Sequence, residues 1–322
     1  MVRARPSLAR RRAASVTAAL LLAPLACGSS REEPVGRIVF SGDFATPYAS
    51  RLFVIGADGK GLHKVTRGLA RVGEGDADWS PDGSRIVFDR TYDCAASLSL
   101  CSALWIVNAN GSAERLLTPA NAEGEISALA PTWSPDGRRI AYVLADDRSG
   151  ASDLWVIGAD GSAQRRLTHV GDAQEPAWAP DGRRIAFSHD GDIVVLDLDA
   201  GSLQRLTKTP TLLESFPDWS PDGKRIAYEL NDEAPPGQAN QEYDAYVMHS
   251  DGTDARRLSR PGDLDGHPVW SPGGQLIAYG SDVGPEIGDG IAIVIVDAGS
   301  GDRVRRIPAP GMDLYSIDWA AE

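Results

Sequence analysis

One ten-residue word recurs along this chain. It reads WSPDGSRIVF from Trp79, WSPDGRRIAY from Trp133, WAPDGRRIAF from Trp178, WSPDGKRIAY from Trp219 and WSPGGQLIAY from Trp270. A sixth copy breaks off as DWAAE around Trp319, and its missing half, GRIVFSG over 36–42, stands at the other end of the chain. A repeat divided between the termini is what a closed ring requires, because the terminal strands then complete one shared unit. The Trp-to-Trp spacings of 54, 45, 41, 51 and 49 residues match a four-stranded propeller blade of roughly 40–50 residues.

Each copy resolves into four short strands. The Trp segment is the innermost. Ser-Pro-Asp-Gly supplies a turn, with Pro pre-setting φ and Gly tolerating the last position, and Arg-Ile-Ala-Phe is the second strand. The third is apolar at nearly every position, as in LWVIGADG (154–161) and IAIVIVDAG (291–299), so both of its faces are covered. An Asp-Gly type hairpin leads to an outer strand whose arginines suit a solvated edge. The expected fold is all-β, a six-bladed β-propeller over 36–322, closed by pairing of its N- and C-terminal strands.

The word Trp-Ser-Pro-Asp-Gly-x-(Arg/Lys)-Ile-Ala-(Phe/Tyr), followed by Asp-Leu-Trp-Val-Ile and Ala-Asp-Gly-Ser-x-x-Arg-Arg-Leu-Thr, resembles the repeat of the TolB-type β-propellers of bacterial envelopes. The resemblance covers the chain beyond its leader and implies an envelope-located propeller. TolB carries an α/β domain ahead of its propeller. Nothing comparable lies between Cys27 and Gly36, so the partner functions of that domain are not expected here.

Residues 1–26 read as an export signal. Arg3, Arg5, Arg10, Arg11 and Arg12 form a basic start, and Ala13 to Ala26 is an apolar stretch too short to span a bilayer. Cys27 directly after Leu25-Ala26 resembles a lipoprotein cleavage box, making Cys27 the lipid-attachment residue; ordinary cleavage after Gly28 is the alternative. Residues 27–35 are a short linker. The expected location is periplasmic or, through the lipid, outer-membrane-anchored. Cys94 and Cys101, separated by six residues in an exported loop with no flanking His, read as a disulfide.

Without the five leader arginines the chain carries 27 basic against 45 acidic residues, a formal net charge of −18. That excludes nucleic acid as the expected partner and disfavours anionic lipid surfaces. The partner expected is an envelope protein, a basic one fitting best, or a glycan, bound by a monomeric propeller that meets the membrane only through its lipid anchor.

Both sets of uniform turns fall at one end of the blades and all variable connections at the other, where binding is expected. The inter-blade connections carry Glu74, Glu123, Glu125, Asp172, Glu214, Asp263, Asp265 and Asp313, an expected acidic rim. Three positions before each Trp stand Asp76, Ala130, Glu175, Phe216, His267 and Ser316, one per blade, read as the channel mouth. Of these, Asp76, Glu175, Phe216, His267 and Ser316 are the candidate binding residues, and Asp76, Glu175 and His267 the candidate ligands of a divalent cation. No other cofactor is expected. His63, His169, His189 and His249 show no grouping by spacing.

There is no Gly-x-Ser-x-Gly elbow and no phosphate-binding glycine loop. Asp82, Asp136, Asp181 and Asp222 recur as turn residues rather than catalytic ones. The expected function is therefore non-catalytic recognition, with no catalytic residue assigned. The alternative is a channel-centred, metal-dependent enzyme of lyase or lactonase type, with His267 as its base or ligand.

Overall fold

The Ser-Pro-Asp-Gly word and its variants build the same turn in the first five blades. Gly83 donates to the Ser80 carbonyl at 2.7 Å, Ser80 to the Arg85 carbonyl at 2.8 Å, and Asp82 Oδ1 accepts from the Ser84 amide at 3.0 Å. Asp136, Asp181 and Asp222 repeat that last bond to Arg138, Arg183 and Lys224. These aspartates are turn residues. The computed structural model of the chain describes residues 33–44, 50–67, 73–93, 100–118, 126–209, 212–232, 242–260, 264–282, 291–309 and 312–322. Cys27 and Cys94 lie outside them, while Cys101 is fully buried and disulfide-bonded.

Every described element is a β-strand, and the strands form six four-stranded antiparallel sheets. The inner strands of blades 1 to 5 are β4 (Gly73–Trp79), β8 (Ile126–Trp133), β12 (Gln174–Trp178), β16 (Leu212–Trp219) and β20 (Leu264–Trp270). Each pairs with the strand after its turn: β5 (Arg85–Asp93), β9 (Arg139–Asp146), β13 (Arg184–His189), β17 (Arg225–Asp232) and β21 (Leu276–Asp282). Blade 6 has the order β24 (Met312–Ala320), β1 (Arg37–Phe44), β2 (Arg51–Gly56) and β3 (His63–Lys64). Its register runs from Arg37 opposite Ala320 to Phe44 opposite Met312. The termini therefore close the ring within one sheet, making the chain a six-bladed β-propeller.

Burial follows from stacking. Six apolar clusters each lie between consecutive blades; the one joining blades 3 and 4, for example, holds Ile193, Val195, Trp219, Ile226 and Tyr228. Third strands such as β14 (Asp192–Asp197) are buried at five of six positions, because each of their faces packs against a different layer.

The Arg of each second strand adds a contact that composition does not reveal. Arg37, Arg85, Arg139, Arg184 and Arg225 place their guanidinium groups 4.4–4.9 Å from the ring centroids of Trp79, Trp133, Trp178, Trp219 and Trp270, always in the next blade. Such cation–π pairs contribute about 0.5–2 kcal/mol each. At the fifth-to-sixth junction Leu276 stands where the Arg would be, and Trp319 instead donates its indole N–H to the Val35 carbonyl at 2.9 Å.

Deleting residues 36–42 removes most of β1 and leaves β24 and β2 as unpaired edges. The deletion variant is expected to aggregate or to lose cooperative unfolding in a calorimetric scan; a melt like that of the parent would refute closure through this blade.

Candidate functional site

The residue three before the Trp is aimed by the backbone. Asp76, Ala130, Glu175, Phe216 and His267 all adopt positive φ, between 37° and 56°. Each sits at a register shift between inner and second strand, as between Gly75 and Asp78 or between Gly266 and Val269. These are β-bulges, which bend a strand and redirect a side chain. A non-glycine residue held there costs of order 1–3 kcal/mol, and five repeated instances show that the fold imposes it. Ser316 departs from this ring. In β24 the irregularity falls one residue earlier, so Ser316 sits in regular pairing opposite Ser41 and shares a 2.9 Å hydroxyl contact with it.

Below the ring, toward the Ser-Pro-Asp-Gly end, lies an axial chamber of about 370 Å³, bounded at its far end by Ser80, Pro81, Pro221 and Pro272. This axial chamber is thus on the uniform-turn side rather than on the variable-loop side. Five carboxylates line it, and three of them, Asp78, Asp218 and Asp318, stand immediately before a Trp. Their Oδ2 atoms accept the backbone N–H of the Trp in a later blade, Asp78 from Trp133 at 2.6 Å, Asp218 from Trp270 and Asp318 from Trp79 at 2.7 Å. Burial pushes all three up; Asp78 is raised further by the charges of Asp318 and Asp218, and Asp218 reaches about 7.

The ring itself separates this chamber from the loop side. The Phe216 and His267 rings stack at 3.6 Å between centroids with an interplanar angle of 24°. Burial holds His267 down to about 4, so its imidazole is neutral at pH 7. Burial raises Glu175 and Glu229 to about 7 and Asp76 to about 6. Asp89, behind Asp76, is raised by burial and then by the Asp76 charge. Glu175 Oε2 accepts from the Phe216 amide at 3.3 Å, and Glu229 Oε2 from the His267 amide at 3.1 Å. Two further pockets open on the loop side. One, of about 440 Å³, lies by Tyr243, His267 and Ser281; the other, of about 330 Å³, lies by Asp172, Glu175 and Asn231. No Lys or Arg among the described residues lines any of these three cavities.

Asp76, Glu175, Phe216, His267 and Ser316 do meet along one cavity. Asp76, Glu175 and His267 do not, however, form a group whose ligand atoms lie within 4.8 Å of one another. Among the described residues that group is Asp172, His189 and Asp190, which residue spacing did not suggest. His189 Nδ1 bonds Asp172, and Arg205 bonds both Asp190 and Asp192, so a guanidinium already neutralises this cluster. The signal that would have found it is strand register: β12 and β13 pair antiparallel with Gln174 opposite Ser188.

Much of the expected acidic rim is interior. Glu74, Glu214 and Asp265 are at most 2% exposed. Glu74 is bound by Arg90 at 2.6 Å and by Thr66, and Glu214 accepts from Thr207 and Thr209. Asp172 is partly exposed. Glu123, Glu125 and Asp263 lie outside the described residues.

No protein-family model and no curated protein matches the sequence. Solved structures match the fold. TolB from Acinetobacter baumannii superposes with a TM-score of 0.71 at 20% identity, over 90% of this chain and 68% of that one. The structure assigned as TolB from Agrobacterium tumefaciens gives 0.61 at 18% identity, over 89% and 99%. An oligogalacturonate lyase in complex with manganese gives 0.56 at 14% identity, over 84% and 73%. The chain has a TolB-type six-bladed propeller fold.

Gly266 tests the ring geometry. A Cβ there would come within 2.5 Å of Glu229 Oε2, forcing the carboxylate off the His267 amide. Gly266→Ala is expected to lower stability by about 1–3 kcal/mol in denaturant unfolding, the cost of an unmade buried bond; a change under about 0.5 kcal/mol would contradict that role.

Proposed function

We propose that this chain is a non-catalytic binding propeller of the bacterial cell envelope that receives a basic segment of a partner protein at its axial channel. One observation carries the reading: Asp76, Asp78, Glu175, Asp218 and Asp318 line the axial chamber, and no Lys or Arg among the described residues lines it. A buried carboxylate without a cationic partner carries its desolvation cost uncompensated, and an arriving ammonium or guanidinium group removes that cost. The basic leader and the cysteine at 27 support export, with acylation of Cys27 anchoring the propeller to a membrane.

The reading as a metal-dependent lyase or lactonase is weaker. An oligogalacturonate lyase shares the fold, but a polyuronate is anionic and these cavities would repel it. His267 stacks on Phe216, and Asp76, Glu175 and His267 do not form a group whose ligand atoms lie within 4.8 Å of one another.

The test is crosslinking in native envelopes with the variant Asp76→Asn, Glu175→Gln, His267→Ala. The amide side chains retain hydrogen-bond acceptors while removing charge. Partner capture is expected to fall at least about tenfold, equivalent to about 1.4 kcal/mol, with the melting temperature preserved, and parental association is expected to slow as salt rises. Capture equal to the parent's, insensitive to salt, would overturn the proposal.

A further inference from the structure

The 440 Å³ pocket has a feature of its own. Gly266 and Gly280 face each other in register between β20 and β21. The same pair of positions holds Gly75 and Asp89, Leu129 and Val143, or Ser215 and Glu229 in other blades. Gly266 is required by the approach of Glu229, but Gly280 is not required by its backbone. Its φ is ordinary, and a Cβ would meet only Leu314 and the Gly266 carbonyl at 3.8 Å. The absent side chain at 280 keeps the pocket open, within the range of roughly 300–1,000 Å³ typical of small-molecule sites.

Next to it, Ser281 is 2% exposed and lines the pocket, yet its hydroxyl has no hydrogen-bond partner among the described residues. His267 Nε2 stands 4.0 Å from Glu229 Oε2, outside hydrogen-bond distance. Neutral imidazole offers one donor and one acceptor, and a serine hydroxyl offers both. The opposite wall is apolar, made by Ile291, Leu314 and Ile317, and the stacked Phe216 and His267 rings give a flat aromatic surface.

We propose that this pocket is a binding site for one uncharged sugar ring. A pyranose presents an apolar C–H face to an aromatic surface and a rim of hydroxyls that both donate and accept, which matches Phe216 and His267 on one side and Ser281 and Glu229 on the other. An apolar ligand would leave the Ser281 hydroxyl unpaired at a cost of about 1–3 kcal/mol. An acidic sugar or phosphate would face Glu229 with no Lys or Arg among the described residues of the wall. The site does not depend on the basic-partner reading, because Ser281, Gly266, Gly280, Ile291 and Leu314 do not line the axial chamber.

The experiment is saturation-transfer NMR and calorimetric titration of the full exported protein with glucose, galactose and N-acetylglucosamine, using galacturonate and glucosamine as charged controls. At least one neutral sugar is expected to bind saturably. Ser281→Ala and Gly280→Val should each weaken it about tenfold or more, the scale of one lost polar contact or a filled site. Asp78→Asn with Asp218→Asn, in the chamber, should leave it within about twofold, well inside that scale. The proposal is overturned if no neutral sugar binds, if galacturonate or glucosamine binds more tightly, or if Ser281→Ala binds like the parent. Should Gly280→Val fail to fold, Ser281→Ala decides alone.

Discussion

Blade-to-blade packing around a closed ring is the constraint on which everything else in this structure depends. No blade has an apolar core of its own; each cluster is assembled from two neighbours, including the one where Ile38, Phe40 and Trp319 of blade 6 meet Val269 and Ile293 of blade 5. Breaking the ladder between β24 and β1 would expose both ends of that series. The Arg-on-Trp stacks and the Asp-to-Trp amide bonds repeat the same logic at the polar level, since donor and acceptor always belong to different blades. Closure is also what brings six inner strands close enough for their bulged residues to share a single axis.

That axis explains how strain and charge come to be concentrated together. The bulges at Asp76, Glu175, Phe216 and His267 turn side chains inward that regular pairing would have directed elsewhere. Once inside, the carboxyls have few partners: backbone amides of the next blade serve Asp78, Asp218, Asp318, Glu175 and Glu229, and no guanidinium of the described residues reaches them. Elsewhere the same chain pairs four buried acids with arginine, Arg90 on Glu74, Arg166 on Asp153, Arg205 on Asp192 and Arg257 on Asp244. The contrast marks the channel as the place where charge is kept available.

The ring was readable from the chain because a ten-residue word with a split copy carries its own topology, and the turn role of Asp82 followed from its recurrence. The −3 positions were readable as channel residues for the same reason. Their positive φ was not, since a bulge is a property of two strands in register. Ser316 shows the limit: counting back from Trp319 lands on the right cavity but one residue off the bulge. Counting charges likewise placed Glu74 and Glu214 on a rim, whereas threonines just past the outer strands and, for Glu74, Arg90 of β5 draw them inside. The Gly266–Gly280 pocket becomes visible only when the two strands are laid side by side.

The central claim, that the axis holds buried carboxyls without a cation of the chain's own, predicts an unusual dependence of stability on pH. Unfolded Asp and Glu titrate near 4; in the folded state Asp76 is held to about 6, and Glu175, Asp218 and Glu229 to about 7, by burial. Groups raised on folding contribute stability that is complete below pH 4 and is lost as pH rises through 6 to 7. The turn residue Asp82, held down to about 2 mainly by the Ser80 and Ser84 hydroxyls, acts oppositely and loses its contribution as pH falls toward 2. Calorimetric melts from pH 4.5 to 7.5 should therefore show the midpoint falling by roughly 5–10 °C, and the fall should shrink in the Asp78→Asn, Asp218→Asn variant. A midpoint that stays level or rises across that window in the parent would contradict the account.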